Sequence, residues 1–264
     1  MDYVDLTQLD DPIILRWMFH PRPAQPYHTR EKDTHDGSIQ VDRHILLGYR
    51  LYRHQAESPV LLFFHGNGEI AADYDWLANR YRDIGVSLMV VDYRGYGWST
   101  GIPRGSTLLA DAEVVHDMLP EVLARHNINE GPRWLMGRSL GGTCAIHLAW
   151  REPRAYRGLI LESSIAHWVR HLRRKDFPPG TLDDFVDPVR NVEKISETDI
   201  PLLLLHGQSD WLVPAMDAEV VFAAAPSQTK HLEMVPGAGH NDLIAVGMNQ
   251  YFGAIERFIA ETAS

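Results

Sequence analysis

The residues with the clearest chemistry are a serine and the glycines around it, in Gly137-Arg138-Ser139-Leu140-Gly141-Gly142. They follow the apolar run Arg133–Met136 and open a stretch of helical period, so the serine stands at a strand-to-helix turn. Such a turn is strained and exposes the hydroxyl above the sheet, and the glycines remove Cβ atoms that would collide there. The bare G-x-S-x-G pattern also occurs by chance in glycine-rich turns, but this setting favours chemistry. We predict that Ser139 is a nucleophile that attacks an ester-like carbonyl.

A serine hydroxyl needs a base, and a neutral imidazole is the usual one. The sequence has 14 histidines, so most of them must have other roles. His240 lies in Pro236-Gly237-Ala238-Gly239-His240-Asn241-Asp242, a loop that follows the last predicted strand and returns to the sheet edge that carries Ser139. The alternative is a solvent-exposed loop histidine. We predict that His240 is the base.

The base in turn needs an acid that fixes its tautomer and stabilises the imidazolium. Asp210 comes just after the apolar run Pro201–His206 and is the predicted acid. As a turn aspartate, it is also placed to cap the next helix. Glu162 ends the preceding predicted strand and is the rival acid. The order serine, aspartate, histidine along the chain differs from the orders of the chymotrypsin-like and subtilisin-like proteases.

An oxyanion hole is the fourth part of the predicted site. His65-Gly66-Asn67-Gly68 follows the apolar run Val60–Phe64, and a turn there can direct a backbone N–H toward the substrate oxygen. We predict that the N–H groups of Asn67 and Leu140 are the two donors, each contributing about 2.7–4 kcal/mol to transition-state stabilisation. His65 itself is predicted to be structural. All of these features follow the carboxyl ends of strands, where open α/β sheets place their sites.

The elements that must position these residues follow a regular order from about residue 38, in which short apolar runs alternate with stretches of helical period. This order predicts an α/β fold with a mostly parallel central sheet and helices on both faces. The predicted strands are Ile45–Tyr52, Val60–His65, Ser87–Asp92, Arg133–Met136, Gly158–Glu162, Pro201–His206 and Lys230–Val235, with Gly37–Val41 as an antiparallel edge. The predicted helices are Ala71–Ile84, Leu108–His126, Leu140–Arg151, Pro214–Ala225 and Asp242–Thr262, and Pro120 is expected to kink or split the second of them.

One segment, residues 165–199, is longer than a simple crossover requires. We predict that residues 1–264 form a single domain and that this segment is a small cap over the carboxyl edge of the sheet. Trp168, Leu172 and Phe177 are the predicted substrate-binding residues, as an apolar wall. The cap also has a basic cluster, which either attracts an anionic substrate or is a solvated helix face: His167, Arg170, His171, Arg173, Arg174 and Lys175. The first 36 residues, rich in Pro and His, receive no assignment.

Composition narrows the function classes. The net charge of −10 argues against nucleic-acid binding, and Cys144 is the only cysteine, which excludes an internal disulfide and a thiolate metal cluster. The acidic N-terminus does not resemble a signal peptide, and no uncharged apolar run approaches the roughly 18–20 residues that span a bilayer. We therefore expect a cytoplasmic protein without a membrane span.

Over about residues 38–262 the sequence resembles the α/β-hydrolase superfamily, in particular its small serine hydrolases. The motifs that carry the resemblance are H-G-N-G at His65–Gly68, D-Y-R-G-Y-G-x-S at Asp92–Ser99, G-R-S-L-G-G at Gly137–Gly142, H-G-x-x-D-x-x-V-P at His206–Pro214 and G-H-N-D at Gly239–Asp242. The resemblance implies the α/β-hydrolase fold and the same triad, with the loop at Asp92 more structural than catalytic. Membrane-bound members of this branch carry an N-terminal anchor, which we do not find in this sequence.

The prediction is thus a serine hydrolase that cleaves a carboxylic ester or thioester of a small-molecule acyl substrate through an acyl-enzyme, without metal or organic cofactor. An amidase or peptidase with the same triad is one alternative, because the superfamily includes both. A non-enzymatic small-ligand receptor on the same scaffold is another. Haloalkane dehalogenases and epoxide hydrolases use an aspartate nucleophile, so Ser139 speaks against them.

Overall fold

The apolar runs pair into one mixed sheet in a computed structural model that describes residues 6–27, 29, 32–174 and 186–263. Within these residues the strands are β1 Thr34–Asp42, β2 Ile45–Tyr52, β3 Val60–Phe64, β4 Ser87–Val91, β5 Arg133–Arg138, β6 Gly158–Glu162, β7 Leu202–Gly207 and β8 Lys230–Val235. Their order across the sheet is β1-β2-β4-β3-β5-β6-β7-β8. β2 is antiparallel to both of its neighbours, and the pairs from β4 to β8 are parallel.

Helices cover both faces of the sheet. Besides 3₁₀ helices at Thr7–Asp10 and Ala71–Leu77, the described helices are α1 Pro12–Met18, α2 Ala78–Asp83, α3 Gly105–Arg125, α4 Leu140–Arg151, α5 Trp168–Leu172, α6 Asn191–Ser196, α7 Ala215–Ala224 and α8 Leu243–Thr262. Side chains of β3 alternate between two apolar cores: Leu62 packs with α3 and α4, and Leu61 packs with α2 and α8. The predicted α/β fold, mostly parallel with helices on both faces, is confirmed.

Two predicted helices differ in detail from the observed ones. The segment predicted as one helix at Ala71–Ile84 begins as a 3₁₀ helix and continues as α2. The proline expected to kink or split the next helix lies inside α3, which continues through it to Arg125. Pro120 is exposed, so the carbonyl that loses its helical partner lies on the solvent side, where water can replace the missing N–H.

The N-terminal segment, which the sequence left unassigned, packs into the core. The Asp11 carboxylate caps α1 by accepting hydrogen bonds from the backbone N–H of Ile13, at 2.7 Å, and of Ile14, at 3.3 Å. Pro12 occupies the first turn, where its missing N–H costs nothing. Leu9 and Ile14 are buried in the core that α3 and α4 share. The segment is therefore part of the packed body of the protein.

Residues 165–199 contain α5 and α6, while 175–185 lie outside the described residues. The indole Nε1 of Trp168 donates to the Thr143 hydroxyl at 2.8 Å, which fastens α5 to α4. The Asn191 side chain donates to the carbonyl of Ile165 at 2.8 Å and joins the two ends of the segment. No helix in the described part of the chain is long and apolar enough to cross a membrane.

Candidate active site

Ser139 stands in a strained turn between β5 and α4. Its backbone has φ 50° and ψ −112°, a conformation that an L-residue adopts only when its surroundings impose it. The Ser139 N–H donates to the carbonyl of Glu162 at 2.9 Å, so the end of β6 holds the turn from one side. The serine side chain therefore lies at the carboxyl edge of the sheet, where the sequence placed it.

The glycines of the turn are required by close backbone approaches. A Cβ at Gly137 would collide with the backbone of Gly141, and a Cβ at Gly141 would collide with the carbonyl of Phe64 at the end of β3. A Cβ at Gly142 would meet the Ser164 side chain. These contacts let the first turn of α4 press against β3, with the amides at its N-terminus next to the serine.

The structure brings His240 to Asp210. The imidazole Nδ1 and the carboxylate Oδ2 are 2.7 Å apart, and both side chains are buried. Because a carboxylate only accepts, Nδ1 must donate, which leaves Nε2 of the neutral ring without a proton and able to act as a base. His240 and Ser139 line the same cavity, of about 240 Å³.

Backbone amides fix the other oxygen of Asp210. Its Oδ1 accepts from the N–H groups of Leu212, at 2.9 Å, and Val213, at 2.8 Å. Burial by itself would raise the pKa of Asp210, but the hydrogen bond and charge of His240, with the Val213 amide and the nearby His206, hold that pKa below its usual value. The carboxylate is therefore ionised and oriented where it contacts His240.

The rival acid, Glu162, is committed elsewhere. Its Oε1 accepts from Arg138 Nε at 3.0 Å, and its Oε2 accepts from the Tyr251 hydroxyl at 2.7 Å. Burial raises the pKa of Glu162, although the Arg138 guanidinium opposes this. Of the two candidate acids, Asp210 is the one whose carboxylate meets the imidazole.

Arg138 joins three segments beneath the site, a role that the sequence did not reveal. Besides Glu162, the buried guanidinium forms an ion pair with Glu69, in the loop after β3. Its Nη2 donates to the backbone carbonyl of His240 at 2.8 Å and to Asn241 Oδ1 at 3.2 Å. The loop after β3, the end of β6 and the histidine loop are thus held by one side chain.

The loop after β3 places Asn67 beside Ser139. The Asn67 Oδ1 accepts from the Tyr96 hydroxyl at 2.6 Å and from the backbone N–H of His20 at 2.8 Å. Leu140 is the first residue of α4, so its N–H has no partner within that helix. Both residues line the cavity that contains Ser139.

His65 sits under this loop and is fully buried. Its Nδ1 lies 2.8 Å from the carbonyl of Gly66, its Nε2 lies 3.2 Å from Asp92 Oδ1, and Tyr93 donates to its backbone carbonyl at 2.6 Å. These contacts are those of a residue that supports the loop, as the sequence analysis expected. His65 is not among the residues that line the cavity with Ser139.

The predicted substrate wall has a mixed outcome. Trp168 lines the cavity, Leu172 is buried in the core and is not among its lining residues, and Phe177 lies outside the described residues. In the basic cluster, Arg170, Arg173 and Arg174 are exposed, His167 and His171 are half-buried, and Lys175 is outside the described residues. Among these, His171 lines the cavity.

Part of the cavity wall comes from the N-terminal segment, which sequence reasoning missed. Trp17, Met18 and His20 line the cavity together with Ile165, Trp168 and His171. A local signal for α1 does exist in the sequence, because Asp11-Pro12 is a helix start. Nothing in that signal tells where the helix docks.

Among the described residues, no group of three or more His, Cys, Asp or Glu side chains is placed to hold a metal ion.

Comparison with known proteins agrees with this architecture. A family model described as serine aminopeptidase, S33 (Hydrolase_4) matches residues 55–179 and 170–244. The chain belongs to this family. An uncharacterized protein of Mycobacterium tuberculosis is 32% identical over 206 residues, which cover 78% of this chain and 71% of that protein. The alpha/beta hydrolase domain-containing protein 17B of Homo sapiens is 28% identical over 254 residues, covering 93% of this chain and 83% of that protein.

Solved structures show the same fold as this S33 member at low sequence identity. An esterase of Pyrococcus furiosus is 18% identical with a TM-score of 0.73, covering 92% of this chain and 99% of that one. A soluble variant of a monoglyceride lipase from Saccharomyces cerevisiae, solved with a substrate analog, is 17% identical with a TM-score of 0.70, covering 90% and 98%. The α/β-hydrolase fold is thereby confirmed, and the chain is a hydrolase-family member with esterases and lipases among its neighbours in fold.

Proposed function

We propose that the protein is a serine hydrolase that cleaves carboxylic esters or thioesters, with Ser139 as nucleophile, His240 as base and Asp210 as the acid that orients it. The observation that carries this proposal is the 2.7 Å contact between His240 Nδ1 and Asp210, on a histidine that shares a cavity with a serine in a strained turn. In this arrangement the free imidazole nitrogen is available to the serine hydroxyl.

In the first half of the proposed reaction, Ser139 Oγ bonds to the carbonyl carbon while its proton passes to His240 Nε2. The electron pair of the C=O bond moves to the oxygen, which the N–H groups of Asn67 and Leu140 stabilise. The intermediate collapses, the bond to the alcohol or thiol breaks, and His240 returns its proton to the leaving group. The product is an acyl-enzyme on Ser139.

In the second half, His240 takes a proton from water as the water oxygen bonds to the acyl carbon. The electron pair again passes to the oxygen in the proposed hole. When the intermediate collapses, Ser139 Oγ leaves and recovers its proton from His240, and the carboxylic acid is released. The Asp210 carboxylate stabilises the imidazolium in both halves without being protonated itself.

Two other functions would use the same site, amide hydrolysis and ligand binding without turnover. Amides follow the same steps with a poorer leaving group, and the family model carries the description of an aminopeptidase. A ligand receptor would keep the geometry without turnover.

For the predicted cap, we propose that residues 165–199 contribute to the choice of substrate through Trp168.

The proposal is tested by labelling the purified protein with a fluorophosphonate and locating the adduct by mass spectrometry. We expect a single adduct on Ser139, and hydrolysis of p-nitrophenyl acetate that Ser139→Ala abolishes. Ser38→Ala is the control, since Ser38 lies on edge strand β1, away from the site. A panel of matched esters, thioesters and anilides then separates esterase from amidase activity.

A folded protein that resists the fluorophosphonate contradicts the proposal. So does turnover that persists in Ser139→Ala at the wild-type rate. Labelling of Ser139 without turnover of any ester, thioester or anilide supports the receptor reading.

A further inference from the structure

The N-terminal segment, residues 6–27, forms part of the candidate active site. Its Trp17, Met18 and His20 line the cavity that contains Ser139 and His240. The family model begins only at residue 55, so nothing in the family match assigns a role to this segment.

Specific bonds hold the segment in place against the site. His20 binds the Asn67 side chain twice, through its backbone N–H at 2.8 Å and through its Nδ1 at 2.8 Å. Further along, the backbone of Ala24 donates to Gly97 at 2.6 Å, and Arg22 forms an ion pair with Asp73. The position of Trp17 is thus fixed from both sides, by α1 before it and by these bonds after it.

The cavity wall is mixed, since His20, His171 and Asn241 line it together with an apolar side. Apart from the proposed catalytic groups, the apolar lining residues are Trp17, Met18, Ile165, Trp168 and Leu212. None of the described lining residues has a carboxylate, and the one guanidinium, that of Arg138, is already paired with Glu69 and Glu162. The apolar side of the wall favours contact with a hydrocarbon group of the substrate.

The location of Trp17 also indicates which part of the substrate it meets. The leaving group must lie at His240, because this residue returns the proton to it. The segment with Trp17 is bonded instead to Asn67, the proposed oxyanion donor. If the leaving group lies at His240, the acyl group is the part of the substrate left to extend along the wall that contains Trp17.

We propose that Trp17 is a specificity-determining residue that makes the enzyme prefer acyl groups with a hydrocarbon chain over the acetyl group. This inference rests on the proposed function and adds the substrate class. A second residue of α1, Ile13, provides a matched comparison, since Ile13 is 39% exposed and Trp17 is 38% exposed, but only Trp17 lines the cavity.

The test compares kcat/KM for p-nitrophenyl octanoate and p-nitrophenyl acetate, both below their aggregation concentrations. For wild type we expect a preference for octanoate. Trp17→Ala is expected to lower the octanoate-to-acetate ratio by about tenfold, the effect of losing part of one apolar pocket wall. Trp17→Phe, which restores an aromatic ring, is expected to recover most of the ratio, and Ile13→Ala to keep the wild-type ratio.

Fluorophosphonate labelling of Ser139 is measured in all four proteins, so the two proposals fail in different ways. If labelling is normal but Trp17→Ala keeps the wild-type ratio, or Ile13→Ala lowers it equally, the role of Trp17 is refuted while the serine hydrolase stands. If wild type is not labelled, the proposed function fails and the inference fails with it. A melting temperature for each variant shows that the protein is folded. If Trp17→Ala is not, Trp17→Gln, which keeps a long side chain on this half-exposed position but removes the aromatic ring, replaces it and is expected to lower the ratio.

Discussion

Arg138 precedes the proposed nucleophile and contacts neither of its triad partners through their side chains. Its guanidinium is buried between Glu69 and Glu162 and reaches the backbone of His240. Burial opposes the charge, but the two carboxylates keep the pKa of Arg138 above its usual value. Arg138 itself precedes Ser139, and two of the segments that it binds carry the proposed oxyanion donor and the base, so this ion network fixes the relative positions of all three.

We predict that Arg138→Ala lowers the free energy of unfolding by about 3–5 kcal/mol, because it leaves the buried carboxylate of Glu162 and the half-buried one of Glu69 without their cation. Urea denaturation followed by circular dichroism measures the loss. Arg257→Ala is the matched control: Arg257 pairs with Glu233 on the surface, and such exposed pairs contribute about 0–1 kcal/mol. Equal losses in the two variants would show that the buried ion network contributes no more to the free energy of unfolding than an exposed pair does.

Asp210 allows a sharper prediction about catalysis. In Asp210→Asn the amide oxygen stays with the Leu212 and Val213 amides, so the amide NH₂ takes the place of Oδ2 and faces His240 Nδ1. A donor there forces the imidazole into the tautomer that carries its proton on Nε2, which cannot accept the serine proton. We expect kcat to fall roughly 10⁴-fold with the fold intact.

Glu162→Gln is the comparison that tests the rival acid. It keeps the shape of the side chain but weakens the pairing with Arg138, so we expect lower stability and a far smaller fall in kcat. Steady-state ester hydrolysis, with circular dichroism to verify folding, measures both variants. A full loss of activity in Glu162→Gln together with a mild effect in Asp210→Asn would reverse the assignment.

At the scale of elements, α6 packs on α4 through a buried cation. Lys194 is 3% exposed, and its Nζ lies 5.8 Å from the Trp150 ring. Within the described residues this ammonium has no hydrogen-bond partner. Burial, reinforced by Arg190, lowers the pKa of Lys194 from 10.5 to about 8, although Cys144, Asp187 and Glu113 oppose the shift. The packing of α6 on α4 therefore disfavours the charged form of Lys194.

We predict that Lys194→Met stabilises the protein by roughly 2–4 kcal/mol at pH 7, because it removes the cost of burying the charge. In the unfolded chain the Lys194 ammonium keeps its proton up to about pH 10.5, and in the folded chain only up to about pH 8. Wild type therefore gains stability as the pH rises between these two values. The advantage of Lys194→Met should thus be constant below pH 8 and shrink toward pH 10.5. Urea denaturation at pH 7 and pH 10 measures it.

Lys32→Met is the control for this pH dependence, since Lys32 is exposed. Its difference from wild type should be small at both pH values. An advantage of Lys194→Met that is as large at pH 10 as at pH 7 would show that the gain comes from packing and not from the charge.

The elements also show what sequence alone can predict here. The seven strands predicted from Ile45 onward are all present, with ends within two residues, because an apolar run between turn residues is a local signal. The turn at Ser139 also has a local signal, because the glycines stand next to the serine and directly after an apolar run. Local pattern therefore predicted the sheet and the place of the candidate nucleophile.

The parts that escaped prediction depend on distant partners. Arg138 binds a carbonyl 102 positions away, and His20 binds Asn67 at a separation of 47. No sequence pattern indicates either contact, because the two partners come together only when the sheet has formed. Leu172 shows a different limit: an apolar residue in a predicted cap is compatible with a substrate wall and with a core contact, and here it is buried in the apolar core.

At the scale of the whole molecule, the N-terminal segment connects the candidate site to the main core. Leu9 is fully buried beside the first residue of α3, where a Cβ on Gly105 would collide with its side chain. The Asp10 carboxylate accepts from the backbone N–H of Ser106 at 3.0 Å. Ile14 and Met18, on α1, belong to the same apolar core. The segment should therefore unfold together with the sheet and not before it.

Leu9→Ala tests this expectation. Truncating a fully buried leucine costs about 2–5 kcal/mol through lost burial and the cavity left behind. If the segment belongs to one cooperative unit, the entire unfolding transition moves to lower urea, and tryptophan fluorescence and far-UV circular dichroism still coincide. Leu46→Ala is the control, because Leu46 is 39% exposed on β2 and its loss should matter little. An early fluorescence step in Leu9→Ala, with the sheet still intact by circular dichroism, would instead show that the segment detaches on its own, and the cavity wall at Trp17 would then be lost before the fold.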